Sequence, residues 1–508
     1  MADPPSGSTT ASIERLDPAL LKLGGVVILG AIASILDTTI VNVALDTLAR
    51  DFHTSLSTIQ WVSTGYLLAL AVVIPLSGWS VERYGAKPMW MLSLILFVIG
   101  SALSGAAWSA NSLIAFRVIQ GLGGGMMMPI AQTILAQAAG PARLGRVMSM
   151  VAIPGMLAPI LGPVIGGLII DSASWRWIFY VNVPIVAVAL IAAWKGLPGG
   201  GGHKVHRLDV VGFVLISPGL ALGVYGFSQA GNHGGFSSTS VIIPLFLSVV
   251  LLGTFVHHSL HTKTTPLIDV RLFKDRYFSA SAGTSLLLGA ALFGGMILLP
   301  LYYQIVRGES PLAAGLQLAP QGIGVMVASV MAGRLTDRIG AGRVVPIGLV
   351  VTLAGTFVFT QLTAHTNQWV LAGSLVVRGL GLGSSMFPAM AAAYNSLPRS
   401  AVPRATTAIN ILQRVGGSLG TAALIVILDT HMAAVVGSTA VTDISATSGT
   451  PPPVVAAGLA GAFGSTFWWV MGITALALVP ALFLPRHRAG HFADETPVPG
   501  SAPALSLD

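Results

Sequence analysis

An acidic residue stands inside an apolar segment near the start of the chain, where residues 35–45 read ILDTTIVNVAL. A charged carboxylate in the hydrocarbon core of a bilayer costs about 3 kcal/mol on insertion scales, so such residues are rare and often functional. We expect Asp37 to take up and release a proton as its water access and its neighbours change. The alternative is a structural aspartate that is hydrogen-bonded to Thr38 or Asn42.

Three arginines also lie inside apolar segments, and an intramembrane cation needs a partner or water. They are Arg117, Arg378 and Arg414. Arg117 could find its partner inside the protein, or its long side chain could extend to the membrane surface. The sequence alone names no partner for Arg414.

The composition requires hydrocarbon as the solvent for most of the chain. Of its 508 residues, 54% are hydrophobic and 9% are charged, whereas an ordinary soluble domain carries about 25% charged residues. The mean hydropathy is +0.80. There are no cysteines, which excludes disulfides and thiolate metal sites. The net charge of +8 fits either nucleic-acid binding or basic cytoplasmic loops, and the positions of the charges decide between them.

Fourteen segments are long and apolar enough to cross a bilayer, which takes about 20 residues. We call them spans 1 to 14. They are predicted at 23–45, 57–77, 88–107, 112–138, 146–170, 177–195, 210–230, 240–260, 278–304, 312–333, 344–363, 369–393, 405–428 and 462–484.

The basic residues give the orientation of these spans. If the N-terminus is cytoplasmic, most of the 26 Lys and Arg residues fall in cytoplasmic segments, as the positive-inside rule requires. An error in the number of spans would place the basic loops out of phase. The sequence therefore predicts a multi-pass protein of the plasma (cytoplasmic) membrane with both termini in the cytoplasm. The same distribution explains the net charge without a nucleic-acid partner.

The two halves of the chain repeat each other. The loop at residues 78–87 reads GWSVERYGAK after span 2, and residues 333–342 read GRLTDRIGAG after span 10. Transporters built from repeated halves show such internal similarity. The alternative is that these are ordinary basic loop residues. The matched positions are Gly78, Glu82, Arg83 and Gly85 in the first copy, and Gly333, Asp337, Arg338 and Gly340 in the second.

This repeat predicts the domain organisation, because matching span 2 with span 10 leaves spans 7 and 8 as an insertion. The predicted fold is an all-α polytopic membrane protein of two six-helix bundles with two extra central spans. The predicted parts are a cytoplasmic tail at 1–22, an N-terminal bundle at 23–195, a linker with the two extra spans at 196–277, a C-terminal bundle at 278–484 and a disordered cytoplasmic tail at 485–508.

Span 5 contains a block of small residues and prolines, which reads PGMLAPILGPVIGGLI over residues 154–169. Gly155, Gly162 and Gly166 fall on a nearly bare helix face, so another helix can approach closely. The prolines remove backbone donors and bend the helix. Span 13 repeats the pattern with Gly416 and Gly420.

Together these motifs resemble the major facilitator superfamily, in its branch of fourteen-span drug:proton antiporters. The resemblance covers spans 1 to 14 and includes WRWIFYVNVPI at residues 175–185. It implies that the acid of the first loop, Glu82, meets the N-terminal end of a helix in the other half and stabilises the outward-open state. Glu82 replaces the usual Asp, and Asp46 stands where the branch usually has Pro.

The resemblance also implies roles for individual residues. Asp37 would couple protons or contact a cationic substrate, Arg117 would assist proton transfer, and Asn42 and Gln120 would complete that site. Arg378 and Arg414 are further buried cations in the second half. The block in span 5 resembles the antiporter signature of the superfamily and implies exchange rather than symport; its residues are Gly155, Gly162, Pro163, Gly166 and Gly167.

The predicted function is a secondary active transporter, not an enzyme, which exports small apolar or cationic compounds in exchange for protons by alternating access. One alternative is a dedicated exporter of a single metabolite, lipid or antibiotic. More remote alternatives are a non-transporting receptor or membrane enzyme, and a solute:proton symporter. We expect a monomer with small-molecule, proton and lipid partners, and no metal. There is no phosphate-binding Gly-Lys-Ser/Thr loop, so the proton gradient is the expected energy source, without a cofactor.

Overall fold

The computed structural model describes residues 17–139, 143–150, 161–162, 164–170, 172–199, 207–232, 235–394, 397–436 and 452–486. Within these ranges, thirteen helices are long and apolar enough to cross a membrane. They coincide with predicted spans 1 to 4 and 6 to 14. Residues 151–160 and 163 of span 5 lie outside the described residues, so the fold is that of a fourteen-span all-α protein with one span only partly described.

The helices of the first half are close to their predicted positions, as are those of the second. The span helices, in chain order from span 1 and without span 5, are Pro18–Asp51, Trp61–Tyr84, Ala86–Gly105, Ala110–Ala139, Asn182–Gly196, Val210–Asn232, Thr239–His261, Arg276–Leu301, Ala319–Ile339, Ala341–Phe357, Gln368–Tyr394, Val402–Val436 and Pro453–Ala481. Shorter helices Trp177–Tyr180 and Pro311–Gln317 precede spans 6 and 10, and Leu144–Met150 begins span 5.

Several helices extend beyond the predicted boundaries, because hydropathy marks the width of the hydrocarbon and not the helix end. Span 1 begins at Pro18, where the Asp17 side chain accepts a hydrogen bond from the backbone N–H of Ala19. The last residues of the predicted cytoplasmic tail are therefore helical. Span 13 continues to Val436, so Asp429 lies in a helix and not in the predicted outer loop.

The two halves share their turns and their packing. Spans 2 and 10 both end at a glycine with positive φ, 92° at Gly85 and 85° at Gly340, a conformation that costs glycine little. Span 4 packs against spans 2 and 3, and span 12 packs in the same way against spans 10 and 11.

The inserted spans 7 and 8 pack against each other, and span 7 contacts both halves through span 2 and span 13. The Ser217 hydroxyl donates to the carbonyl of Val72 in span 2 at 2.7 Å. Trp61 stacks on Tyr225, with ring centroids 5.8 Å apart. Span 8 presents an outer apolar face, which suits contact with lipid.

Candidate transport site

The carboxylate of Asp37 is fully buried and accepts hydrogen bonds from three side chains on two other spans. Arg117 Nη1 lies 2.5 Å from Oδ2. Gln120 Nε2 lies 2.9 Å from Oδ1, and Asn182 Nδ2 lies 3.0 Å from the same oxygen. A buried carboxylate is tolerated when it is paired and hydrogen-bonded in this way.

The guanidinium of Arg117 is held from several sides at once. It also donates to Gln120 Oε1 at 2.7 Å and to the backbone carbonyl of Val62 at 3.2 Å. The ring of Tyr66 lies under it, with the centroid 4.0 Å from Cζ, a favourable cation–π arrangement. The arginine is 1% exposed, so it pairs inside the protein and does not extend to the membrane surface.

Two members of this cluster are absent from the sequence prediction. Asn182 begins the helix of span 6 and donates to both Asp37 and the Ser101 hydroxyl, and its own Oδ1 is buried without a partner among the described residues. Tyr66 forms hydrogen bonds with Ser34. The sequence signal that could have identified Asn182 is its position as a polar residue inside the apolar segment WRWIFYVNVPI, since a buried amide there needs a polar neighbour.

The structure tests one half of the alternative in which Asp37 is a structural residue bonded to Thr38 or Asn42. The Thr38 hydroxyl donates to the backbone carbonyl of Ile35 at 2.5 Å, so it serves its own helix instead of the carboxylate. The side chain of Asn42 lies outside the described residues.

The small residues of span 5 approach span 1 beside this cluster. Gly162 packs against Thr39, and Gly166 packs against the backbone of Ile40. A Cβ atom at position 162 would overlap the Thr39 side chain, whereas Gly167 has open space. Gly155 and Pro163 lie outside the described residues.

The acids of the two matched loops form equivalent ion pairs, each with the opposite half. Glu82 accepts from Arg404 at the start of span 13, at 2.5 Å from Nη2. Asp337 accepts from Arg146 Nε at 2.8 Å and from the backbone N–H of Gly145 at 3.0 Å. These side chains are 10–14% exposed, so water screens the pairs only partly.

The glycines of the matched loops make these cross-half contacts close. Gly78 packs on Thr407 and Pro403 of span 13, and Gly333 packs on Gly145 and Ser149. A Cβ atom at position 333 would overlap the backbone of Gly145, whereas one at position 78 would lie 3.0–3.3 Å from its nearest neighbours on span 13. The neighbouring arginines of both loops, Arg83 and Arg338, are exposed.

The named contacts between the halves all lie toward the predicted cytoplasmic end. Besides the two ion pairs, Ser77 and Thr407 share a hydrogen bond of 3.1 Å. The deepest of the contacts joins Asn410 Nδ2 to Gln132 Oε1 at 2.6 Å. The halves are thus joined on the side that the basic loops mark as cytoplasmic.

The second-half arginines have different surroundings from Arg117. Arg378 is 1% exposed and donates to Gln321 Oε1 at 2.7 Å, and its buried Nε has no partner in the part of the chain that the structure describes. Arg414 is partly exposed and interacts electrostatically with Tyr66. Neither arginine forms an ion pair with a residue that the structure describes.

No group of three or more His, Asp or Glu side chains suited to a metal ion occurs within the described ranges.

Comparison with known proteins identifies this architecture. A model of the Major Facilitator Superfamily matches residues 27–421. The chain belongs to this superfamily. It is therefore a multi-pass membrane transporter of the secondary type and not an enzyme.

The curated relatives include proteins named for drug resistance. A multidrug resistance protein B homolog of Mycobacterium tuberculosis is 37% identical over 498 residues, which cover 94% of this chain and 92% of the relative. The multidrug export protein EmrB of Haemophilus influenzae is 33% identical, with 79% of each chain covered. The lincomycin resistance protein LmrB of Bacillus subtilis is 28% identical, with 94% of this chain and 97% of the relative covered.

Solved structures of other superfamily members share the fold. The proton:xylose symporter XylE superimposes with a TM-score of 0.59 at 14% identity, covering 91% of this chain and 94% of XylE. A bacterial homolog of the human lysosomal transporter Spinster, in an inward-facing conformation, gives a TM-score of 0.54 at 14% identity, covering 92% and 97%.

Proposed function

We propose that this member of the superfamily is a proton-coupled antiporter that exports small apolar or cationic compounds by alternating access. The observation that carries the proposal is the cluster around Asp37. A carboxylate that is fully buried against Arg117 changes the charge of the whole cluster when it binds a proton. Such intramembrane acid–base pairs are the usual components of proton relays in transporters.

The cross-half ion pairs supply the second part of the mechanism. They join the halves at the predicted cytoplasmic end, so this arrangement is closed at that end. Alternating access then requires Glu82 to separate from Arg404 and Asp337 from Arg146. We propose that protonation of Asp37 from outside and proton release inside drive the return step.

The names of the relatives favour export of several compounds over export of one. They refer to multidrug resistance, multidrug export and lincomycin resistance. The dedicated exporter of one metabolite, lipid or antibiotic stays as the alternative, since the same residues would serve it. We further propose a plasma-membrane location with both termini in the cytoplasm, the domain boundaries given above, and a monomer.

The experiment is a proton-flux assay in proteoliposomes with an imposed pH gradient and a panel of unrelated compounds. We expect several compounds to collapse the gradient in vesicles with the wild-type protein and not in protein-free vesicles. A response to a single compound would favour the dedicated exporter. No proton movement with any compound that the protein transports would contradict proton coupling.

A further inference from the structure

One face of span 13 is directed at the N-terminal half. Arg404, Thr407, Asn410 and Arg414 follow each other at intervals of three, three and four residues, which places them on the same side of a helix. The first three each contact the opposite half, through Glu82, Ser77 and Gln132. The side chain one turn beyond, that of Arg414, must therefore also face the other half.

The hydrogen bonds between the halves that are named above end at Asn410, and Arg414 interacts electrostatically with Tyr66 of span 2. Arg414 has no side-chain hydrogen bond or ion pair to any residue in the described ranges, and it is partly exposed although it faces the other half. It lies ten residues from Arg404, or about 15 Å along the helix axis. Since the hydrocarbon core is about 30 Å thick, Arg414 lies near mid-membrane, at the inner end of the space between the halves.

The opposite side of this space holds Tyr66, which interacts electrostatically with Arg414, and an adaptable apolar side chain. Met128 stands one helical turn outward from Gln132 on span 4, as Arg414 stands one turn outward from Asn410 on span 13. Since Asn410 and Gln132 are hydrogen-bonded, Met128 and Arg414 face the same space just above that bond. Met128 is partly buried, and an unbranched thioether side chain adapts to varied apolar shapes.

No carboxylate in the described part of the chain pairs with Arg414. Of the 18 Asp and Glu residues, Asp37 alone lies well inside a predicted span, and three donors already occupy it. Asp429 on the same helix is fifteen residues away, about 22 Å along the axis. A guanidinium near mid-membrane without an acceptor is unfavourable, and a planar anionic group is the partner whose geometry it matches.

We propose that Arg414 binds the carboxylate of an exported amphiphile whose apolar body lies against Met128. The proposal rests on the function proposed above and adds compounds with one acidic group to its apolar and cationic substrates. Asp37 takes no part in this recognition, because Arg117, Gln120 and Asn182 occupy its oxygens. Arg414 is thus a substrate-selecting residue, separate from the residue proposed to carry the proton.

The test measures binding of three probes that share one ring system, a naphthyl carboxylate, its carboxamide and the corresponding primary amine, to the full chain in lipid nanodiscs without a proton gradient. The wild type is expected to bind the carboxylate about 10-fold tighter than the carboxamide, as a charge-assisted bidentate pair allows. Arg414→Gln removes this preference and leaves carboxamide binding unchanged. Arg414→Lys reduces the preference several-fold, since an ammonium lacks the planar fork.

The matched control is Arg334→Gln, which removes an exposed arginine at the predicted cytoplasmic end of span 10 and should leave all three affinities unchanged. An unchanged carboxylate preference in either folded Arg414 variant would overturn the proposal. So would a wild-type protein that binds the amine or the carboxamide more tightly than the carboxylate.

A second readout separates this proposal from the proposed function. Proton flux driven by the carboxamide should persist in Arg414→Gln, whereas flux driven by the carboxylate is lost. A wild type that binds the carboxylate selectively but moves no protons with any probe would contradict the antiport mechanism and leave the Arg414 site standing.

Discussion

The two halves of the chain share the same helix packing, and each contains a buried arginine, but the partners of the two arginines differ in chemistry. In the N-terminal half Arg117 faces the carboxylate of Asp37, whereas in the C-terminal half Arg378 faces the amide of Gln321. Only the first pair can change its charge by binding a proton, because neither an amide nor a guanidinium titrates in the physiological range. The charge switching that we propose therefore belongs to the first half, whereas the second half keeps its positive charge.

The largest expected effect is on transport by Asp37→Asn. The asparagine cannot exchange a proton, so proton-driven efflux of a dye from intact cells should fall by about 100-fold, toward the background of cells without the protein. Asp429→Asn is the matched control, since Asp429 is half-buried at the far end of span 13, and it should keep most of the activity. Comparable efflux by Asp37→Asn and the wild type would break the distinction between the halves.

Next in size is a difference in stability between Arg117→Gln and Arg378→Gln. The first variant leaves the Asp37 carboxylate buried without its counter-ion, and breaking such a pair costs about 3–5 kcal/mol. The second removes a buried cation that has no carboxylate partner among the described residues, so its cost should be much smaller. Thermal unfolding in detergent at constant pH gives both values, and equal losses would contradict the comparison.

The glycine contacts should behave alike in both halves. Gly162 packs on Thr39, and Gly416 packs on the backbone of Leu286 in span 9. An added methyl group at either site forces the helices apart, at a cost of about 1–3 kcal/mol. Gly167→Ala is the control, because nothing lies within 4 Å of its Cβ position, and its unfolding temperature should match the wild type.

The smallest effect concerns the two cross-half ion pairs. Glu82→Gln and Asp337→Asn should each shift the equilibrium between the closed and open arrangements of the predicted cytoplasmic end toward the open one. The expected shift is about 1 kcal/mol, since water partly screens the pairs. The chain has no cysteine, so spin labels at Tyr84→Cys and Ser400→Cys report the distance without background. Shifts of similar size are expected because the two pairs have similar geometry. A change of distance in only one variant would show that the two ion pairs do not contribute equally to holding the halves together.

The sequence predicts the architecture well, because span length, basic loops and the repeated motif are all local patterns. Thirteen of the predicted spans coincide with helices within the described ranges. The helix ends are less predictable, since span 13 continues beyond the apolar segment to Val436.

The site is predictable in its residues but not in its pairings. Asp37 and Arg117 are recognisable because charge is rare inside apolar segments. That they bind each other, with Asn182 as a third partner, depends on the packing of spans 1, 4 and 6. In the same way, the charge distribution predicts Arg146 and Arg404 only as basic residues of cytoplasmic loops. It does not predict their ion pairs, because a contact between distant parts of the chain leaves no pattern in the local sequence.

The most direct test of the central claim compares two activities of Asp37→Asn in the same proteoliposomes. One is proton flux driven by a transported compound, and the other is exchange of labelled for unlabelled compound without a gradient. If Asp37 carries the transported proton, the variant loses proton flux and keeps the exchange. Proton flux that persists in Asp37→Asn would contradict the account, because another group would then have to carry the proton.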